Sequence, residues 1–258
     1  MLAICVFLSL MVTARTKFEG FIVGGEYATI NRYPHSAFLT VSCVTPEPDR
    51  ETLTWICGSS IVNQRILLTA GHCVYPCSTG TRILVNMGDK NRKSGVIRSA
   101  SSYILHEKYN PNSSASDIGL IKMSRPVVFN SKISRVAIMK KPPYNEAASL
   151  AGWGMIDEKT KVQATNLKSV DQLVWRYASC REMFGELPRG TICASSKIRQ
   201  NYAAQGDSGS GLVVRDYIQI GLVSYKIPKL ANNVIVYTDI GYYYDWIVHN
   251  VHRIICST

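Results

Sequence analysis

Apolar positions along this chain come in short runs broken by polar or turn-forming residues, and few of the runs carry a helical period. Ile30 to Cys43, Trp55 to Ser60, Arg65 to Ala70, Asp117 to Lys122 and Leu212 to Val214 all read as strands. Val44 to Arg50 holds two prolines and reads as a loop, and Asn110 to Ser116 is a polar loop ahead of Asp117. Helical spacing is confined to Val170 to Glu182, which ends at Gly185, and to Tyr243 to Ile254, where Trp246 and Ile247 would face a core. Pro142 to Asn145 is a further turn-forming stretch, past the middle of the chain. No repeat of fixed period and no low-complexity tract is present. Strand runs at short spacing, without helices between them, predict an all-β chain. Its 258 residues could hold one large domain or two small ones.

Composition narrows the class. The chain holds 29 Lys and Arg against 18 Asp and Glu, a net charge of +11. These cations are scattered and no tract reads as a binding arm, which argues against nucleic acid and for a solvated basic surface. Residues 1–14 carry the apolar run Leu2 to Leu8 and end in Val12-Thr13-Ala14, the pattern of a signal peptide with small residues at its cut site. That run is too short to span a bilayer, and no later stretch qualifies as a membrane span. Secretion suits the eight cysteines, because an oxidising compartment permits disulfides. Cysteine and histidine spacing gives no metal-binding pattern, and no cofactor is expected.

The stretch with the most chemistry is Gly206-Asp207-Ser208-Gly209-Ser210-Gly211, followed by the apolar Leu212-Val213-Val214. It puts a hydroxyl on a tight turn entering a strand, with glycines that let a carbonyl approach. The N–H groups of Gly206 and Ser208 could converge on a developing oxyanion. Taken alone, such a cluster is usually just a turn. A hydroxyl nucleophile also needs a base, and the base a carboxylate to orient it. Thr69-Ala70-Gly71-His72-Cys73 and Asp117-Ile118-Gly119-Leu120 offer both, each next to a buried strand. In that company the sequence resembles the chymotrypsin-like (trypsin-fold) serine peptidases over nearly everything after residue 21. Ile22-Val23-Gly24-Gly25 looks like a mature amino terminus, Ala151-Gly152-Trp153-Gly154 like the mid-chain turn, and Val236-Tyr237-Thr238 with Tyr244-Asp245-Trp246-Ile247 like the closing strand and helix.

The resemblance implies two six-stranded antiparallel β-barrels, about residues 22–135 and 140–242, a C-terminal helix over about 243–254, and an active site in the cleft between the barrels. It implies a secreted serine endopeptidase acting through an acyl-enzyme: Ser208 as nucleophile, His72 as base and Asp117 as its orienting acid. Gly206 and Ser208 would form the oxyanion hole. Residues 15–21 would be a propeptide, and a cut before Ile22 would free an ammonium to pair with Asp207. The partners implied are a peptide or protein substrate, an activating peptidase and protein inhibitors. Disulfides would join Cys57 to Cys73 and Cys180 to Cys193, with Cys43 to Cys77 proposed as a third. Cys5 would leave with the signal peptide, and Cys256 is left over. Asn112 stands in a glycosylation sequon.

Several positions depart from the family pattern. Phe21 precedes the activation cut where the family commonly has Arg or Lys. The specificity pocket would be built from Tyr202, Ala203, Gln205, Ser224, Tyr225, Lys226 and Ile235. Tyr202 takes the floor position where a trypsin-type enzyme has Asp, so specificity is expected to be non-tryptic. Lys226 and Ile235 add bulk at positions that are often Gly, and the disulfide joining these two segments is missing, with Ala204 at one of its positions. Three outcomes stay open: a preference for small apolar residues, a closed pocket, or a Lys226 that draws acidic side chains. A second function class is a catalytically weak or silent homologue that acts by binding in a proteolytic cascade or as a toxin-like component.

Overall fold

A computed structural model of the chain describes residues 22–44, 51–75 and 80–256. The signal peptide and propeptide expected over residues 1–21 lie outside them, as do Cys77 and most of the loop after Val44. Strand alternation builds the first barrel. In β1 (Ser36–Val44), Ala37, Leu39, Val41 and Cys43 point inward, and in β4 (Arg82–Met87) Ile83, Val85 and Met87 meet them. With β2 (Thr52–Ile61), β3 (Ile66–Thr69), β5 (Val96–Leu105) and β6 (Gly119–Met123) they close in the order β1-β2-β3-β6-β5-β4. All six pairings are antiparallel.

The second barrel is made of β7 (Ala148–Gly152), β8 (Lys168–Val174), β9 (Thr191–Ser195), β10 (Gly211–Val214), β11 (Ile218–Ile227) and β12 (Ala231–Asp239). Its order is β7-β8-β9-β12-β11-β10, closed by β10 on β7. Leu150, Val170, Leu212, Ile220 and Tyr237 fill its interior. Two six-stranded antiparallel barrels are therefore present, as expected. The C-terminal helix α2 (Tyr244–Cys256) turns back onto the first barrel, where Ile247 and Ile254 pack on Ile66, Leu68 and Leu120. Between the barrels lie Phe38, Trp153 and Val213, with the Phe38 and Trp153 rings edge-on at 6.0 Å. Among the described residues no helix is long and apolar enough to cross a membrane.

Some expected boundaries move. Val170 to Glu182 is not one helix: residues 168–174 are β8, and helix α1 spans only Tyr177–Phe184, ending at Gly185 with φ 76°. Residues 168–172 pair with Gly152 to Ala148, so Val170 and Gln172 turn inward while Asp171 and Leu173 face out. Tertiary pairing overrides the local helical period there. Residues 30–35 form turns ahead of β1 instead of strand, and Asp117 stands before β6 instead of opening it.

Candidate active site

Strand pairing brings the first two candidate groups together. β3 and β6 are antiparallel neighbours with Thr69 opposite Gly119, so the chain leaving β3 and the chain entering β6 lie at the same end. His72 sits in the short 3-10 turn after β3 (Gly71–Cys73) and Asp117 just ahead of β6. Asp117 Oδ1 accepts the His72 backbone N–H at 2.8 Å, and Oδ2 lies 2.8 Å from His72 Nδ1. The Asp117 side chain is buried, and that of His72 is about one-third exposed toward the cleft.

The second barrel adds to the same carboxylate. Ser224 is the extra residue of a bulge in β11, where Val223 faces Tyr237 and Tyr225 faces Val236. Its hydroxyl donates to Asp117 Oδ2, and Thr238 Oγ1 donates to the Asp117 carbonyl at 2.7 Å. Burial alone would raise the Asp117 carboxyl, yet hydrogen bonds and charge from His72 and the Ser224 hydroxyl outweigh it and hold the group below its ordinary value. Asp117 is thus a fixed anion, suited to hold one imidazole tautomer.

Ser208 lies on the turn entering β10. Its carbonyl accepts the Gly58 N–H at 2.7 Å, and Cys73 Sγ approaches the same oxygen at 3.6 Å, which pins the turn beside the residue after His72. Gly209 has φ 80°, and a Cβ there would stand 2.5 Å from the Gly58 carbonyl oxygen, so only glycine lets the turn sit this close. Neighbouring N–H groups are used: Asp207 donates to Ala204, Gly209 to Val223 and Ser210 to Asp207. Those of Gly206 and Ser208 donate to no acceptor among the described residues, which leaves two donors on one turn available to an oxyanion. Ser208 Oγ is not hydrogen-bonded to the imidazole; such contacts are often loose until substrate arrives.

Asp207 is fully buried, and its carboxylate accepts the N–H groups of Gly154 at 2.8 Å and Ala204 at 3.0 Å. Burial outweighs these bonds and pushes the carboxyl up to about 6. Ile22 is buried in the second barrel core beside Ala203 and Tyr237, and Val23 bridges to Tyr202. Disulfides join Cys57 to Cys73 and Cys180 to Cys193. His72 lies within 4.8 Å of both sulfurs of the first, but a disulfide offers no thiolate to a metal. Cys43 is buried and unbridged among the described residues, while its expected partner Cys77 falls outside them. Cys256 is exposed at the end of α2, and Asn112 is exposed in its loop.

Comparison with known proteins fits this architecture. A family profile described as Trypsin matches residues 22–247. The chain belongs to the trypsin family. Trypsin delta of Drosophila melanogaster is 30% identical over 241 residues, covering 91% of this chain and 90% of the relative. Trypsin alpha-4 of Lucilia cuprina is 30% identical over 239 residues, covering 90% and 88%. Two solved structures share the fold: HL collagenase (TM-score 0.74, 23% identity, 88% of this chain and 97% of that one) and the scabies mite inactivated protease paralogue S-D1 (0.75, 20%, 91% and 97%). Family membership makes this chain a serine endopeptidase acting on protein substrates.

This trypsin-family member has a small cavity beside the candidate nucleophile. A cavity of about 170 Å³ beside Ser208 is lined by Ala203, Ala204, Gln205, Val223, Ser224, Tyr225, Lys226, Ile235 and Glu158. Tyr202 lines an adjoining cavity with Val23 and Asp157, and its ring lies 4.4 Å from Lys226 Nζ. Lys226 Nζ meets Glu158 Oε1 at 2.6 Å. Burial and the nearby Glu158 charge both raise the Tyr202 phenol. Sequence reasoning missed Glu158, Val223 and Thr238. Glu158 lies 68 positions from Lys226 and carries no local signal for its role.

Proposed function

We propose that this chain is a secreted endopeptidase in which His72, Asp117 and Ser208 carry the reaction and a small apolar residue precedes the cut. Ser208 Oγ attacks the scissile carbonyl carbon while its proton passes to His72 Nε2. The new C–O bond leaves an oxyanion for the Gly206 and Ser208 N–H groups. Collapse breaks the C–N bond, and His72 returns the proton to the departing amine. Water then repeats the sequence on the acyl-enzyme and frees Ser208. Asp117 keeps the imidazole in the tautomer that can accept.

The observation that carries the reading is the Asp117 carboxylate, buried and bonded from His72 on one barrel and Ser224 on the other, with two unused N–H groups on the Ser208 turn. The small pocket, walled by Ala203, Ala204, Val223 and Ile235, supports the substrate preference. Tryptic specificity would need an acid at the pocket base free to meet Arg or Lys, and Glu158 is already committed to Lys226. Maturation by an activating peptidase before Ile22, a signal peptide at residues 1–14 and a glycan on Asn112 belong to the same proposal, and protein inhibitors are its expected regulators.

A fluorophosphonate label tests it. Covalent attachment to Ser208 in the processed chain is expected. Ser208→Ala should abolish labelling and cut turnover by several orders of magnitude, with the melting temperature nearly unchanged. No labelling in a folded chain that begins at Ile22 would favour the silent homologue acting by binding.

A further inference from the structure

Among the described residues Lys226 is the one cation lining the small pocket, and the fold has already given it a counter-ion. Its Nζ lies 2.6 Å from Glu158 Oε1, with the two side chains 16% and 34% exposed, and 4.4 Å from the centre of the Tyr202 ring. Both Glu158 and Lys226 line the same cavity as Ser208. The remaining walls are largely apolar, so an ammonium here depends on a nearby anion.

The two partners are held differently. Lys226 belongs to β11 and pairs with Ile235 on β12, inside the barrel wall. Glu158 sits in the turn that links two short strands, Met155–Asp157 and Val162–Gln163. Asp157 Oδ1 accepts the Lys159 N–H at 2.8 Å and so preforms that turn. The lysine is therefore the anchored half of the pair and the glutamate the half that a turn delivers.

We infer that Glu158 is a specificity-determining residue: its carboxylate occupies the position on Lys226 that an acidic substrate side chain would take, and so keeps the pocket for neutral residues. The inference rests on the endopeptidase reading above and adds to it the group that decides between neutral and acidic substrates. Removing the Glu158 charge leaves Lys226 with an open position in the cavity it shares with Ser208, and an entering Asp or Glu side chain completes the pair.

The test compares four peptides that differ only in the residue before the cut, Ala, Leu, Asp or Glu, in the wild type, E158Q and the double variant E158Q/K226M. In E158Q the kcat/KM ratio of the Glu or Asp peptide to the Ala peptide should rise roughly tenfold or more, and the double variant should lose the gain. A ratio unchanged from wild type, or a gain that survives K226M, overturns the inference. Calorimetry on uncleaving S208A chains, with and without E158Q, supplies a second readout. An acetylated tetrapeptide ending in Glu should bind roughly tenfold tighter once Glu158 is replaced, while one ending in Ala should not. Equal tightening of both peptides, or of neither, overturns it. Because this measurement needs no turnover, a failed endopeptidase reading (no fluorophosphonate label) is told apart from a failed assignment of Glu158.

Discussion

Two buried carboxylates, Asp117 and Asp207, move in opposite directions for a physical reason that can be named. Burial works against the anion in both. Asp117 overcomes it with two contacts from His72 and a hydroxyl from Ser224, whereas for Asp207 burial outweighs two backbone N–H groups and the charge of Lys226, and the carboxyl rises to about 6. A carboxyl raised in the folded state from its ordinary 3.8 holds its proton there, so the stability a neutral Asp207 contributes is full below about 3.8 and is lost as pH climbs through about 6. An ammonium freed at Ile22 would reverse this by pairing with the anion. Carbon-detected NMR of the uncut chain should therefore show the Asp207 carboxyl titrating near 6, and cleavage before Ile22 should move it well below that. A carboxyl with the same midpoint before and after the cut would refute the pairing.

At the level of elements, position follows from pairing. His72 and Asp117 are adjacent because β3 and β6 are antiparallel neighbours, and Ser224 reaches Asp117 because a bulge in β11 adds one residue at that point. Those pairings also explain what was legible. Buried runs such as Ile66 to Thr69 and Leu212 to Val214 announced strands, and the 244–256 helix showed in the spacing around Trp246. The segment after Val170 misled because a run of seven residues can satisfy a helical period and a strand alternation at once, and only its neighbour β7 decides. Helix α2 supports β3 and β6 from behind through Ile247, which is fully buried against Ile66, Leu68 and Leu120. Ile247→Ala should cost about 2–5 kcal/mol in urea unfolding. A loss under about 1 kcal/mol would mean that the helix is not a structural brace.

For the molecule as a whole, both barrels follow one strand order, since β7-β8-β9-β12-β11-β10 retraces β1-β2-β3-β6-β5-β4. No repeat in the residues betrays it, because each barrel needs only inward apolar positions of fitting volume and not the same side chains. The site exists only where the two meet: Ser224 and Thr238 of the second barrel hold Asp117 of the first. Thr238→Val keeps the shape but leaves the buried Asp117 carbonyl without its donor. Thermal or urea melts should show a loss of about 1–3 kcal/mol in a single transition, because the bond ties both halves. Two separate transitions would show that the barrels unfold independently.

By itself the order of residues determined the family, the strand-rich class and the candidate triad, because tight turns and catalytic side chains are local features that leave short, recognisable signatures. Only the folded molecule decided that Lys226 is answered by Glu158, that Tyr202 covers the ammonium from an adjoining cavity, and that β8 is a strand. These are contacts between segments far apart in the chain, and whether a charge is met or a face is buried depends on what packs against it, which no local pattern encodes.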